Sequence, residues 1–203
     1  GFYTDYVYPL VAQLIRQMLV CEEVNSDKVF LIGSSHGGYG AFAIGPKMAD
    51  RFAAVHSSAA APTDGESSPK NLMNTPFTFM IGDRDQAFGR LQRCLAFDKA
   101  IKSFRGNRKG IYPVQMLLKP GLGHTGLPDR DQLASMFPAV RNPLPDSLAW
   151  EPTDSVVSRF AWLEIPAPAK HQLVEATRKG NRFEIKLSGI QSLNLYLNER
   201  MVD

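Results

Sequence analysis

The 203-residue sequence predicts an α/β fold, in which a parallel sheet is flanked by helices and a small antiparallel β module is appended. Short apolar runs of strand character alternate with segments of helical period, a pattern typical of parallel sheets covered by helices. One such run, residues 29–32, leads directly into Gly-x-Ser-x-Gly and then into an Ala-rich helical segment. After Arg141 the pattern changes to the two-residue alternation of antiparallel strands.

The first predicted element is a helix. Residues 4–21 carry apolar side chains at a period of 3.6 residues, which predicts an amphipathic helix packed on the sheet. Pro9 marks either a kink or a late start of the regular helix. Residues 25–27, Asn-Ser-Asp, predict a turn that leads into the strand at Val29.

The segment 29–43 has the order strand, sharp turn and helix. Its first four residues predict a strand buried on both faces. Gly33 and Gly37, two places on either side of Ser35, let the strand and helix approach each other closely. Ser35 is therefore predicted in a strained turn, with its hydroxyl at the top of the sheet and at the start of a helix. Because a solvated serine in a Gly-rich connection matches the same five residues, the surrounding sequence decides between the two interpretations.

The alternation of strands and helices continues to residue 137. Gly45 and Pro46 are predicted to end the helix that follows Ser35. The next elements are predicted at residues 51–57 (strand), 76–81 (strand), 91–104 (helix), 114–118 (strand) and 129–137 (helix).

Three side chains suited to nucleophilic catalysis each follow the end of a predicted strand: Ser35, Asp85 and His124. In parallel sheets, chemistry gathers at the carboxyl ends of the strands. A serine hydroxyl needs a base, and the base needs an orienting carboxylate. We therefore predict Ser35 as nucleophile, Asp85 as the orienting acid, and His124 as general base and then general acid.

Asp83 competes with Asp85 for the acid position, because both lie in a turn where Asp is common for local reasons. Asp85 is preferred since it lies deeper in the loop and can turn back toward the histidine. Asp83 is predicted to cap the turn or to pair with Arg84. The backbone N–H of His36, which follows the predicted nucleophile, is expected to be one oxyanion donor.

The other histidines and the cysteines are given structural roles. His56 is predicted in the core or at its rim, and His171 is predicted to be structural. Cys21 and Cys94 are predicted to be buried free thiols. The spacing of His, Asp and Glu fits no metal site, and the glycines match neither a Walker loop nor a dinucleotide fingerprint. We therefore expect no metal and no cofactor.

Composition excludes several classes of partner. The chain is 44% hydrophobic and 21% charged, as in ordinary globular proteins. A net charge of +3 with mixed signs and no basic block predicts no nucleic-acid partner. Because no apolar run approaches the ~20 residues of a bilayer span, no membrane partner is predicted. The sequence predicts no compartment.

Residues 142–203 are predicted to be a linker plus a β-rich appendage. The linker is assigned to residues 142–146, which contain two prolines. A sheet as small as the appendage is marginal alone, so it should pack on the first domain or on missing chain. Strands of the appendage are predicted at residues 160–165, 171–177 and 182–187, with further alternation at Leu193, Leu195 and Leu197.

These motifs resemble the α/β-hydrolase superfamily, in which a serine, an acid and a histidine follow in this chain order. The resemblance is carried by residues 29–43, 82–85 and 121–124. Within the superfamily, residues 27–38 and 50–55 resemble secreted or bacterial esterases related to polyhydroxybutyrate depolymerases and feruloyl esterases.

The resemblance implies a serine hydrolase that cleaves small-molecule or polymeric carboxylic esters, with an acyl-enzyme formed on Ser35, Asp85 as acid and His124 as base. An alternative is a serine peptidase, because residues 37–39, Gly-Gly-Tyr, are also similar to prolyl-oligopeptidase-type peptidases. A third interpretation is an inactive hydrolase scaffold whose β module binds a carbohydrate or another partner.

The resemblance also implies missing structure. In the superfamily several strands precede the nucleophile strand, and a loop after an early strand supplies the second oxyanion donor. Only 28 residues precede Val29 here, and most are predicted helical. Residues 1–141 are therefore predicted to be the C-terminal portion of an α/β-hydrolase catalytic domain, with an incomplete oxyanion hole. Missing N-terminal strands or another chain are predicted to pair with the exposed sheet edge.

Overall fold

The computed structural model describes residues 4–202; residues 1–3 and 203, at the outer ends of the predicted domain ranges, lie outside the described part. A parallel sheet of four strands, in the order β1-β2-β3-β4, forms the centre of the first part of the chain. The predicted α/β class is therefore confirmed. Its elements are α1 Val7–Cys21, β1 Phe30–Ser34, α2 His36–Lys47, β2 Ala54–Ser58, β3 Phe77–Gly82, α3 Arg90–Arg105, β4 Val114–Lys119 and α4 Arg130–Met136.

The register of the sheet brings the strand ends together. Ser34 at the end of β1 lies opposite Ser58 of β2, and Gly82 at the end of β3 lies opposite Lys119 of β4. Because all four strands are parallel, the loops that follow them open on the same edge of the sheet.

Four aromatic rings hold α2 and α3 against β3. The ring centroid of Phe42 in α2 lies 5.2 Å from that of Phe77 and 5.6 Å from that of Phe79. Phe97 of α3 meets Phe42 edge to face, at 5.5 Å and 86°. Such pairs contribute about 0.5–1.5 kcal/mol each beyond their buried area. The helix after β1 is thereby fixed to the strand that leads into the loop of Asp85.

The prediction that Gly45 and Pro46 end the helix after Ser35 is wrong, since α2 continues to Lys47. Pro46 lacks the N–H that would bond the Phe42 carbonyl, but the hydroxyl of Ser67 donates to that carbonyl at 2.6 Å. A side chain at position 45 would put its Cβ 2.9 Å from a Val55 methyl group, so the glycine serves close packing of helix on sheet.

Helix α1 begins at Val7, which puts Pro9 in its first turn and supports the late start rather than the kink. Its predicted packing on the sheet is only half observed. Val7, Val11 and Ile15 pack against the core, while an outer row of apolar side chains is exposed to solvent: Leu10, Leu14 and Met18.

Two further predictions need correction. Cys94 is buried, but Cys21 is exposed, because it ends α1 on the side that faces solvent. The strand predicted at residues 51–57 is β2 at Ala54–Ser58, since Ala49–Arg51 form a 3-10 turn.

The C-terminal part forms two three-stranded antiparallel sheets, with orders β5-β8-β9 and β10-β7-β6. The strand predicted at residues 160–165 is instead a tight hairpin, whose turn includes Ala161 at φ 52°. Strand β5, directly after the predicted linker, was missed because four residues carry too little alternation to identify a strand. The strands are β5 Ser147–Trp150, β6 Arg159–Phe160, β7 Leu163–Glu164, β8 Leu173–Lys179, β9 Arg182–Ser188 and β10 Asn194–Leu195.

The β module packs on the α/β part, one of the two predicted alternatives. Trp150, Phe160 and Trp162 are buried in one continuous core with the aromatic rings of the sheet. Asn71 donates to the Glu151 carbonyl at 3.2 Å, and the Glu151 N–H donates back to the Asn71 side chain at 2.7 Å. The boundary between residues 141 and 142 stays a prediction. Within residues 4–202, the helices are all too short or too polar to cross a bilayer.

Candidate active site

Ser35 lies in a strained turn between β1 and α2. Its backbone has φ 54° and ψ −116°, a conformation that is costly for a residue with a side chain. The turn is held because the Ser35 N–H donates to the Ser58 carbonyl at 2.9 Å, and the Tyr39 N–H donates to the Ser35 carbonyl at 3.1 Å. A Cβ on Gly33 would lie 2.0 Å from the carbonyl oxygen of Gly37, so strand and helix can cross only with glycine there.

The structure brings Ser35, His124 and Asp85 together in one hydrogen-bonded series. The distance from Ser35 Oγ to His124 Nε2 is 2.8 Å, and that from His124 Nδ1 to Asp85 Oδ2 is 2.9 Å. A carboxylate accepts, so Nδ1 carries the proton and Nε2 can accept from the serine hydroxyl. The Asp85 carboxylate is buried, while the imidazole is partly open to solvent. This arrangement can withdraw a proton from a serine and stabilise the imidazolium that results.

Asp83 anchors the loop that carries His124. Its carboxylate accepts from the Gly121 N–H at 2.8 Å, and the Arg84 N–H donates to the Leu122 carbonyl at 3.0 Å. A Cβ on Gly82 would lie 2.2 Å from that Leu122 carbonyl oxygen. The loops of the acid and the histidine are thus in direct backbone contact.

Arg90 is a site residue that the sequence analysis missed. Its Nε and Nη2 donate to Asp85 Oδ1 at 2.8 and 2.6 Å. Burial by itself raises the pKa of the Asp85 carboxyl, but the hydrogen bonds from Arg90 and His124 outweigh it and hold that pKa below its usual value. The sequence did contain a signal for this role. Arg90 lies in the first turn of α3, where a positive charge is unfavourable next to the helix dipole unless an acidic side chain pairs with it.

The three other histidines lie at the start of α2, in the core and in a turn of the β module. His36 is the first residue of α2, with an exposed side chain, and its role as oxyanion donor stays a prediction. His56 is fully buried, as predicted for a core histidine, and its Nδ1 lies 2.8 Å from Thr78 Oγ1. Burial lowers the pKa of the His56 ring. His171 is an exposed turn residue at φ 69°. Across residues 4–202, His, Cys, Asp and Glu form no group of three that could hold a metal ion.

No protein-family model matches the sequence, and no curated protein matches it significantly. Among solved structures, a thermostable esterase matches 66% of this chain and 37% of its own, at a TM-score of 0.52 and 16% identity. Esterase PE8 matches 66% of this chain and 59% of its own, at a TM-score of 0.49 and 17% identity. Acyl-protein thioesterase 2 of Zea mays matches 64% of this chain and 62% of its own, at a TM-score of 0.47 and 17% identity.

The match to the thermostable esterase confirms the predicted partial α/β-hydrolase fold. The chain spans between 37% and 62% of the length of these three structures.

Proposed function

We propose that this chain, which has part of the α/β-hydrolase fold, supplies the catalytic triad of a serine hydrolase that cleaves carboxylic esters. The observation that carries the proposal is the hydrogen-bonded series from Ser35 Oγ through the His124 imidazole to the Asp85 carboxylate, at 2.8 and 2.9 Å. A serine in relaxed backbone geometry would weaken it, but Ser35 has a strained φ of 54°. Such strain at a polar residue is typical of functional sites.

In the first half of the proposed reaction, Ser35 Oγ attacks the carbonyl carbon of the ester while His124 Nε2 takes the hydroxyl proton. The carbonyl oxygen becomes an oxyanion, which the backbone N–H of His36 is expected to stabilise at the start of α2. The bond between the carbonyl carbon and the alkoxy oxygen then breaks. His124 gives its proton to the leaving alcohol, and the acyl group remains on Ser35.

In the second half, His124 takes a proton from water as the water oxygen attacks the acyl carbon. The bond to Ser35 Oγ breaks, the serine regains its proton from the imidazolium, and the carboxylic acid leaves. Asp85 stays ionised throughout, because its role is to hold the imidazole tautomer and to stabilise the imidazolium.

Esters are proposed over amides because a solved structure that this chain matches at a TM-score of 0.52 is that of a protein described as an esterase. The two reactions share the same triad, so the substrate assay decides between them. Hydrolysis of p-nitrophenyl acyl esters in preference to aminoacyl-anilides is expected. Faster cleavage of the anilides would favour the peptidase instead.

A fluorophosphonate probe tests the nucleophile on the longest polypeptide that the gene encodes. The wild type should be labelled, and the Ser35→Ala variant should not. Ser57→Ala is a matched control, since Ser57 Oγ is buried against the Gly38 carbonyl at 3.0 Å and should not react. Equal labelling of the wild type and Ser35→Ala would contradict the proposal.

We further propose that additional strands of the same polypeptide extend the sheet beyond β1. Strand β1 is an edge of the four-stranded sheet, and Ile32 is exposed there. Exposed apolar side chains lie near this edge: the ring of Phe137 is 6.1 Å from that of Phe30 in β1. A cleft of about 410 Å³ between α1 and the start of β1 includes Leu14 and is lined mainly by apolar residues. An apolar strand paired with β1 would cover these surfaces.

Hydrogen exchange on the full-length polypeptide tests this edge. The β1 amides that point away from β2 should be protected at any protein concentration. Protection that appears only at high concentration would identify a second chain as the occupant, and rapid exchange under all conditions would contradict any pairing.

A further inference from the structure

Asp85 divides its two carboxylate oxygens between two partners. Oδ2 accepts from His124 Nδ1 at 2.9 Å, and Oδ1 accepts both bonds from Arg90 at 2.8 and 2.6 Å. The side chains of Arg90 and Asp85 are 7% and 2% exposed, so water contributes little to either. The carboxylate is therefore oriented by protein groups alone.

Two aromatic side chains lie near Arg90. The Phe88 ring lies under the guanidinium, with its centroid 5.3 Å from the guanidinium carbon. Hydrogen bonds to Asp85 are the main cause that raises the pKa of Arg90, and Tyr39, four residues after Ser35, contributes to the same direction. The bonds that fix the guanidinium are therefore those to Asp85.

Asp83, Arg93 and Cys94 are ionisable side chains that lie close to this pair in the sequence. Asp83, on the same loop as Asp85, is engaged by the Gly121 N–H at 2.8 Å. Arg93 lies one turn further along α3, and its guanidinium donates to the Pro62 carbonyl. Burial raises the pKa of the Cys94 thiol to about 12, so this neighbour stays neutral. Arg90 is the cation that bonds the Asp85 carboxylate directly.

We propose that Arg90 is a positioning residue of the active site, which holds Asp85 Oδ2 toward His124 and offsets part of the carboxylate charge that the imidazole feels. This inference rests on the proposed function. An arginine suits the role because its planar guanidinium offers two donors to one oxygen in fixed geometry, which a lysine cannot reproduce.

The consequences follow from geometry and charge. Without the guanidinium, the carboxylate is free to rotate, and a small displacement in a triad can cost about 100-fold in rate. Without the positive charge, the full carboxylate charge of Asp85 acts on the imidazole, which should alter how kcat depends on pH. Arg90→Met should therefore lower kcat about 10- to 100-fold at unchanged KM.

The pH at which kcat falls on the acid side of its profile should also be higher in Arg90→Met, by roughly half a pH unit to one unit. Arg90→Lys restores the charge on one nitrogen instead of a planar guanidinium, so the acid side of its kcat profile should match the wild type, with kcat between the two. Arg93→Met is the matched control, expected to leave profile and kcat unchanged. If Arg90→Met has the same kcat and the same pH profile as the wild type, the proposal is overturned. If Arg90→Met does not fold, an unchanged kcat in Arg90→Lys overturns it.

A second readout does not depend on turnover. The NMR signal of the His124 Nδ1 proton, which is bonded to Asp85 Oδ2 and is assigned by its loss in His124→Gln, should change position in Arg90→Met. An unchanged signal overturns the role of Arg90 even if Ser35 reacts with fluorophosphonate. Conversely, a changed signal without any fluorophosphonate labelling supports the role of Arg90 and contradicts only the proposed hydrolase.

Discussion

Replacing Lys47 with Met should destabilise the whole chain. The buried ammonium at the end of α2 contacts α1, the loop of Glu66 and the C-terminal β module. Lys47 ends α2 and is 4% exposed. It donates to Glu66 at 2.7 Å and to Asp154, which lies in the C-terminal β module, and it stands 4.0 Å above the centroid of the Tyr8 ring of α1. Methionine keeps the apolar stem, so the change isolates the charge.

The magnitude follows from the two ion pairs. A charge-assisted hydrogen bond is worth about 1.5–3 kcal/mol, and removing one partner of a buried pair costs about 3–5 kcal/mol. The carboxylates of Glu66 and Asp154 are 22% and 21% exposed, so water recovers part of the loss. Two like charges then remain close together. We therefore expect Lys47→Met to lower the free energy of unfolding by about 2–4 kcal/mol.

Urea unfolding followed by tryptophan fluorescence measures this loss, since both tryptophans, Trp150 and Trp162, lie in the β module. Lys102→Met is the matched control, because Lys102 is 67% exposed in its pair with Asp98 and should cost about 0.5 kcal/mol or less. Equal losses in the two variants would show that the buried ion pairs of Lys47 add nothing to stability.

The pH dependence of the Lys47 contribution has a definite sign. Burial lowers the pKa of Lys47, but the hydrogen bonds to Asp154 and Glu66 outweigh burial and hold that pKa above its usual value. The contribution to stability is thus fully present below the pKa of an unfolded lysine, ~10.4, and is lost as the pH rises through the folded pKa.

Two further predictions concern the loops and the sheet. Gly82→Ala should lower kcat about 100-fold, because its Cβ would lie 2.2 Å from the Leu122 carbonyl oxygen and would push apart the loops of Asp85 and His124; wild-type turnover would contradict this contact. His56, whose pKa burial lowers, should make the wild type lose stability as the pH falls below ~6.5, since the unfolded ring then takes up a proton that the native ring does not. His56→Gln should reduce the difference in unfolding free energy between pH 7.5 and 5, and an equal difference in both proteins would show that this ring does not cause it.

Patterns within short stretches of the sequence were enough to predict the strand, turn and helix that position Ser35. The apolar run before Gly-x-Ser-x-Gly predicted a strand and a turn, and β1, Ser35 and α2 follow in that order. The predicted strand ends were enough to place Ser35, Asp85 and His124 at one edge of the sheet, because the carboxyl ends of parallel strands lie at the same edge. Asp85 is the carboxylate that accepts from His124 Nδ1, while Asp83 accepts from the Gly121 N–H; the catalytic role of Asp85 stays a prediction.

Features that depend on distant partners could not be predicted. Pro46 predicts the end of a helix, because nothing in the neighbouring sequence shows that the Ser67 hydroxyl will donate a hydrogen bond to the Phe42 carbonyl. Cys21 lies on an apolar helix, and only the fold shows that this side of the helix is uncovered. The role of Arg90 depends on how the first turn of α3 folds back over the loop of Asp85. In each case the partner is set by tertiary packing.

The most direct test of the proposed chemistry is to find which residue a fluorophosphonate modifies. The full-length polypeptide is incubated with the probe, digested, and its peptides are sequenced by mass spectrometry. We expect a single modified position, Ser35, with the rate of modification falling sharply in His124→Gln and in Asp85→Asn. Modification of another residue, or of Ser35 at the same rate in all three proteins, would contradict it.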